Sequence, residues 1–170
     1  RDRDIDLSFA PVLDLARDNA EVIGDRALHA DPEVVTELAR AYVAGMREAG
    51  MAATGKHFPG HGSVKGDSHA LLPVDDRDRH RIEETDLRPF AALGDGALAA
   101  VMTAHVRYPA LDDVPASLSG RWLRDVLRGH LGFAGAAVCD DLSMAGAAGA
   151  GDMLSRAEAA LEAGNDRSEE

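Results

Sequence analysis

Four short apolar runs constrain this chain more than any other feature, because each leads into a polar loop and then a segment with helical spacing. The runs are residues 5–10, 51–56, 97–104 and 136–139. Unbroken apolar strands that alternate with helices imply a parallel sheet covered on both faces, and so an α/β fold. The first helix opens at Asp31-Pro32, an N-cap followed by a proline at the first helical position. Val34, Val35, Leu38, Ala41, Tyr42, Gly45 and Met46 supply its apolar stripe, and Gly50 stops it. A second helical region covers about 78–93, with a break near Pro89. Ser117 or Ser119 caps a third over 120–130, with Trp122, Leu123, Val126, Leu127 and Leu131 on its apolar face and Gly132 closing it. The last runs from Ser155 to Ala163, and the polar tail from Asn165 to Glu170 is expected to fray.

The chemically loaded residues are not scattered. They fall just after the strands: Asp14 to Arg26, Lys56 to His69, His105 to Tyr108, and Asp140 to Ser143. In a (β/α) barrel such positions crowd together at the C-terminal face, where active sites sit. A full barrel takes eight βα units and about 250 residues. This chain has 170 residues and about four units. An open sheet and a partial barrel both fit that count.

The densest segment is Lys56-His57-Phe58-Pro59-Gly60-His61-Gly62, followed by Asp67-Ser68-His69, and it holds three of the seven histidines. It lacks apolar alternation and reads as a loop. Asp67 and His69 are two residues apart. In an extended segment they share a face, where the carboxylate can orient and charge the imidazole. Asp140 and Asp141 close the fourth strand. From the residues alone, either is as well read as the cap of the following turn as a reactive carboxylate.

Composition narrows the partners. Hydrophobic content is 45%, charged content 28% and net charge −12. The negative balance argues against nucleic acid or an anionic membrane as the main partner and is indifferent to a neutral sugar. No apolar run approaches the ~20 residues that cross a bilayer. No secretory leader is recognisable before the first strand. Cys139 is the only cysteine, which fits a reducing compartment. The expected location is the cytoplasm.

Taken with Asp140-Asp141-Leu142-Ser143-Met144, these segments resemble the signature of the β-N-acetylhexosaminidases of glycoside hydrolase family 3, the bacterial enzymes of peptidoglycan recycling. The resemblance covers essentially the whole chain. It implies a (β/α)8 TIM-type barrel, with residues 1–170 as a partial barrel catalytic domain lacking N-terminal strands and a C-terminal strand. The family's upstream Asp-Gln-Glu-Gly-Gly-type motif has no counterpart here. After Glu162-Ala163-Gly164-Asn165-Asp166, where an apolar strand is expected, stands Arg-Ser-Glu-Glu.

The resemblance also assigns roles. Asp140 is the nucleophile, His69 the acid/base and Asp67 its charge partner. Arg26, Lys56 and His57 bind the hydroxyls of a terminal N-acetylglucosaminide. No metal or cofactor is implied. For Arg26 the plainer reading from the residues is a surface ion pair with Asp25 or Glu21. His61 orients the loop and His105 supports the floor of the site. Two rivals stand beside this reading. One is a metal-dependent hydrolase built on His57, His61, Asp67 and His69, which Pro59 and Gly60 disfavour because a helix cannot hold the pair there. The other is an inactive fragment, or one that binds sugar without turnover. Within the chemistry itself, water or phosphate could be the acceptor.

Overall fold

The computed structural model describes residues 5–17, 22–65, 68 and 70–168. Among them a five-stranded sheet forms the frame: β1 (Leu7–Ser8), β2 (Ala52–Phe58), β3 (Ala100–Thr103), β6 (Ala136–Cys139) and β7 (Arg167–Ser168), in that order and with every pairing parallel. The connections carry α1 (Pro32–Glu48), α2 (Arg79–Glu84), α3 (Leu87–Leu93), a π-helical stretch Arg121–His130, and α4 (Met153–Ala163). A small antiparallel hairpin, β4 (Arg107–Tyr108) and β5 (Asp112–Pro115), lies between β3 and the π-helical stretch.

Local chemistry accounts for the helix limits. The Asp31 side chain accepts from the Glu33 and Val34 amides, and Gly50 takes a positive φ of 77° beyond the other end of α1. Asp78 and Asp152 cap α2 and α4 in the same way. Pro89 sits at the third position of α3, and the break lies just before it, at Thr85-Asp86. Ser119 Oγ accepts from the Trp122 amide at 3.2 Å, as its place before the helical stretch predicts. The bonds there run i→i−5, as from the Leu131 amide to the Val126 carbonyl at 2.8 Å.

Several expectations need correction. The buried stripe of α1 is Val35, Ala39, Val43 and Met46, while Leu38 and Tyr42 are exposed. The helix is rotated so that its i, i+4 ridge, not the wider apolar arc, faces β2 and α3. β1 is not a buried strand. It forms one edge of the sheet, and Ile5, Leu7 and Phe9 are exposed along it. β2 runs past the expected end at residue 56, so that His57 and Phe58 belong to it rather than to a loop. The tail does not begin to fray at Asn165. That residue is buried, accepts from Thr103 Oγ1 at 2.9 Å and donates to the Ser117 and Ala160 carbonyls, and Arg167–Ser168 pair with β6. Backbone pairing, which is indifferent to side-chain polarity, makes this polar segment a strand. Five parallel strands replace the four that the apolar runs indicated.

The main core joins α1, β2, α3, β3, the hairpin and the π-helical stretch. At its centre Phe58 meets Phe90 and Trp122 edge to face, at centroid distances of 5.5 and 6.1 Å, and Tyr108 meets Trp122 at 5.1 Å. Burial of each such ring contributes about 1.5–3 kcal/mol. The Tyr108 hydroxyl donates to the Gly60 carbonyl at 2.6 Å. The core is thereby tied to the turn that follows β2. No described helix is long and apolar enough to cross a membrane.

Candidate active site

The carboxyl ends of β2 and β6 and the turn Gly24–Arg26 meet around a cleft of about 140 Å³. It is lined by Val22, Ile23, Arg26, Lys56, His57, His61, Ser68, Asp140 and Met144. Four of the six residues expected from sequence, Arg26, Lys56, His57 and Asp140, therefore share one site although they come from three separate segments. The other two, Asp67 and His69, lie outside the described residues, as does Glu21. Among the described residues no carboxylate pairs with Arg26, whose Nη2 donates to the Val22 carbonyl at 2.7 Å.

β2 delivers its two residues through an irregularity. Lys56 pairs with Met102 and Phe58 with Thr103, so His57 is the extra residue of a bulge. A bulge re-aims side chains at the end of a strand. The Lys56–His57 and Phe58–Pro59 peptides are both cis. The segment after β1 runs alongside: Val12 bridges Lys56, and the Leu13 amide donates to the Lys56 carbonyl at 2.6 Å.

This register brings in a residue to which sequence reasoning gave no role. Asp14 is buried and accepts four hydrogen bonds. His57 Nδ1 donates to Oδ2 at 2.7 Å, the His57 amide reaches both oxygens at 3.2 Å, and the His61 amide donates to Oδ1 at 2.6 Å. Burial pushes this carboxyl up. The charge and hydrogen bond of His57 and the His61 amide more than offset it, so Asp14 sits below the usual carboxylate range and is ionised. An ionised carboxylate only accepts, so Nδ1 of His57 carries a proton and Nε2 is left to serve a ligand. The available signal was a carboxylate inside the apolar run Val12-Leu13-Asp14-Leu15: a charge in such a run is rarely buried without a partner.

His61 supports the same corner. Its Nε2 lies 3.1 Å from Ser68 Oγ, and burial lowers its pKa against the pull of Asp14, which keeps the ring neutral. Gly62 is required by crowding, since a Cβ there would lie 2.1 Å from the Leu15 carbonyl oxygen. Ser68, between the two undescribed residues, lines the cleft, and its carbonyl accepts from the Gly146 amide at 3.0 Å.

At the end of β6 the two aspartates divide. Asp141 folds back on Ser143, accepting its amide at 2.7 Å and its hydroxyl at 2.8 Å. It caps the turn. Asp140 lines the cleft, and its Oδ1 accepts from the Asp141 amide at 3.0 Å. Next to it the Cys139 thiol is pushed up to about 12 by burial and by Asp140, which makes it inert as a nucleophile. For a metal, the described residues offer little. No group of three or more His, Cys, Asp or Glu among them is arranged to hold one; His57 Nδ1 is engaged by Asp14 and His61 Nε2 by Ser68.

Comparison with known proteins agrees with this geometry. Residues 1–168 match the glycosyl hydrolase family 3 N terminal domain. A β-hexosaminidase of Alkalilimnicola ehrlichii is 59% identical over 162 residues, covering 95% of this chain and 47% of that protein. One from Tolumonas auensis is 58% identical over 164 residues, 96% of this chain and 49% of the relative. The chain thus spans about half the length of the curated relatives it matches. Among solved structures, NagZ of Neisseria gonorrhoeae in complex with N-trifluoroacetyl-D-glucosamine superposes with a TM-score of 0.89 at 48% identity, over 96% of this chain and 47% of that one. A family 3 β-N-acetylglucosaminidase from Paenibacillus gives a TM-score of 0.92 at 40% identity, over 96% of this chain and 32% of that one.

Proposed function

Because the chain belongs to glycosyl hydrolase family 3, we propose that it forms part of a retaining β-N-acetylglucosaminidase that removes terminal N-acetylglucosamine from peptidoglycan-derived muropeptides in the cytoplasm. The observation that carries this reading is the convergence of Arg26, Lys56, His57 and Asp140 on one cleft at the carboxyl ends of parallel strands. The five-stranded sheet is read as part of a (β/α)8 barrel, and the activity as that of the longer protein.

In this mechanism Asp140 attacks the anomeric carbon while an imidazolium at His69, charged by Asp67, protonates the departing oxygen. The neutral imidazole then takes a proton from water, which releases the sugar from Asp140. Phosphate in place of water would make the same site a phosphorylase. Lys56 and Arg26 donate to sugar hydroxyls, and His57 offers Nε2. The fit of N-trifluoroacetyl-D-glucosamine to the Neisseria relative supports a 2-acylamino sugar as the substrate class.

The test is a fluorogenic N-acetylglucosaminide assay on the full-length protein, with and without Asp140→Ala. Turnover abolished by the substitution, with a slow fluorinated N-acetylglucosaminyl analogue trapped on the Asp140 peptide of the parent, is the expected result. More than a tenth of the parent rate in Asp140→Ala removes Asp140 from the nucleophile role.

A further inference from the structure

The buried histidine at the end of β3 has no part in the chemistry above, yet its bonds lead to the candidate nucleophile. His105 is fully buried. Its Nε2 lies 3.1 Å from the Asp140 carbonyl and 2.9 Å from the Asp141 carbonyl, and its Nδ1 lies 2.7 Å from Ser117 Oγ. Carbonyls only accept, so Nε2 carries the proton, and Nδ1 of the neutral ring accepts from the Ser117 hydroxyl. Burial holds the ring neutral by lowering its pKa against the pull of Asp140.

One N–H reaching two successive carbonyls is itself informative. In a strand, successive carbonyls point to opposite sides. Both can face one donor only where the chain turns, and here it turns as it leaves β6. The peptide unit joining Asp140 to Asp141 is held at both ends: its oxygen accepts from His105, and its N–H donates to Asp140 Oδ1 at 3.0 Å. The Asp140 amide is fixed in turn by the Thr103 carbonyl at 3.2 Å. Gly146 closes the space beside the ring, since a Cβ there would lie 2.7 Å from His105 Cβ.

We propose that His105 is a positioning residue for the glycosidase reaction, aiming the Asp140 carboxylate by fixing the single peptide unit whose oxygen it binds and whose N–H holds that carboxylate. This rests on Asp140 being the nucleophile. His105 touches no substrate. It acts on the angle of attack, so its loss lowers kcat and leaves sugar affinity largely unchanged.

The experiment compares His105→Phe, His105→Gln and Ser117→Ala in the full-length protein, with Asp140→Ala as reference. His105→Phe keeps a ring without a donor, and kcat is expected to fall about tenfold to a hundredfold, the scale of a small misplacement, with KM within about threefold. His105→Gln returns an N–H near the Nε2 position and recovers most of that loss. Ser117→Ala, milder for folding, frees the ring and lowers kcat several-fold in the same KM-independent way. Trapping by the fluorinated analogue slows in parallel. If Asp140→Ala is inactive while His105→Phe and Ser117→Ala keep more than half of kcat, the positioning role is overturned and the nucleophile stands. If the losses in the two variants appear in KM, or if His105→Gln is no better than His105→Phe, the role is likewise overturned. Full turnover in Asp140→Ala overturns the underlying reading instead.

Discussion

His57 Nδ1 and Asp14 Oδ2 lie 2.7 Å apart, although 43 residues of chain separate them. The pair is buried on both sides, so the donors that Asp14 accepts from cannot turn to water when the carboxylate is removed. Asp14→Asn is therefore expected to destabilise the protein by about 1–3 kcal/mol, the cost of leaving a buried donor without its acceptor. Chemical denaturation reads the loss, and a weaker apparent sugar affinity accompanies it, because the ring then no longer has an enforced tautomer. A change below about 1 kcal/mol would show that the backbone bonds of Asp14 hold without its charge.

Acid should act through the buried groups in two stages. His61 and His105 have folded-state pKa values below the ordinary 6.5, so the unfolded chain takes up protons first and stability falls as the pH drops below about 6.5. Asp14 lies below its ordinary 3.8, so its contribution is present above that pH and is lost as the pH falls further, through its lower folded value. Unfolding free energies between pH 8 and 3 should slope in both windows. His61→Gln should flatten the upper one only. A flat profile from pH 7 to 5 would contradict the assignment of neutral buried rings.

The paired aspartates at the end of β6 should respond very differently to the same change. Asp141→Asn keeps an acceptor for the Ser143 amide or hydroxyl and should retain turnover within about fivefold, since the cost of one weakened hydrogen bond is about 1 kcal/mol. Asp140→Asn should be inactive on natural and aryl substrates alike. Equal losses at both positions would assign the chemistry to the pair rather than to Asp140.

His69 can be tested through its leaving group. A sugar alcohol cannot depart without a proton, whereas a nitrophenolate can. His69→Ala should lose far more rate on a disaccharide than on an aryl N-acetylglucosaminide. Asp67→Ala should show the same ranking less severely, because the imidazole remains without its charge partner. Azide, which needs no general base, should restore the second step in His69→Ala. Equal losses on both substrates with no azide effect would reduce His69 to a loop residue.

Much of this was legible beforehand, for identifiable reasons. The alternation of apolar runs gives the parallel sheet, and the position of the loaded residues after those runs gives the cleft holding Arg26, Lys56, His57 and Asp140. What stayed hidden depends on pairing between distant segments. Asp14 becomes a site residue only through the register that sets Val12 beside Lys56. β7 is a strand because β6 offers its edge, not because Arg167 and Ser168 favour one. The hairpin of Arg107–Tyr108 and Asp112–Pro115 is two and four residues long, too short for any period to register. The rotation of α1 follows from what β2 and α3 leave open, which its own sequence does not encode.

The sheet order β1-β2-β3-β6-β7 is also the order in which the strands occur along the chain. No strand has to be threaded between two that are already paired. Each one, as it emerges during synthesis, adds beside the strand before it and closes a loop of tens of residues, a step whose entropic cost grows only slowly with loop length. Assembly can thus proceed from one side to the other at the pace of translation, with the newest edge the only unpaired one on the growing side.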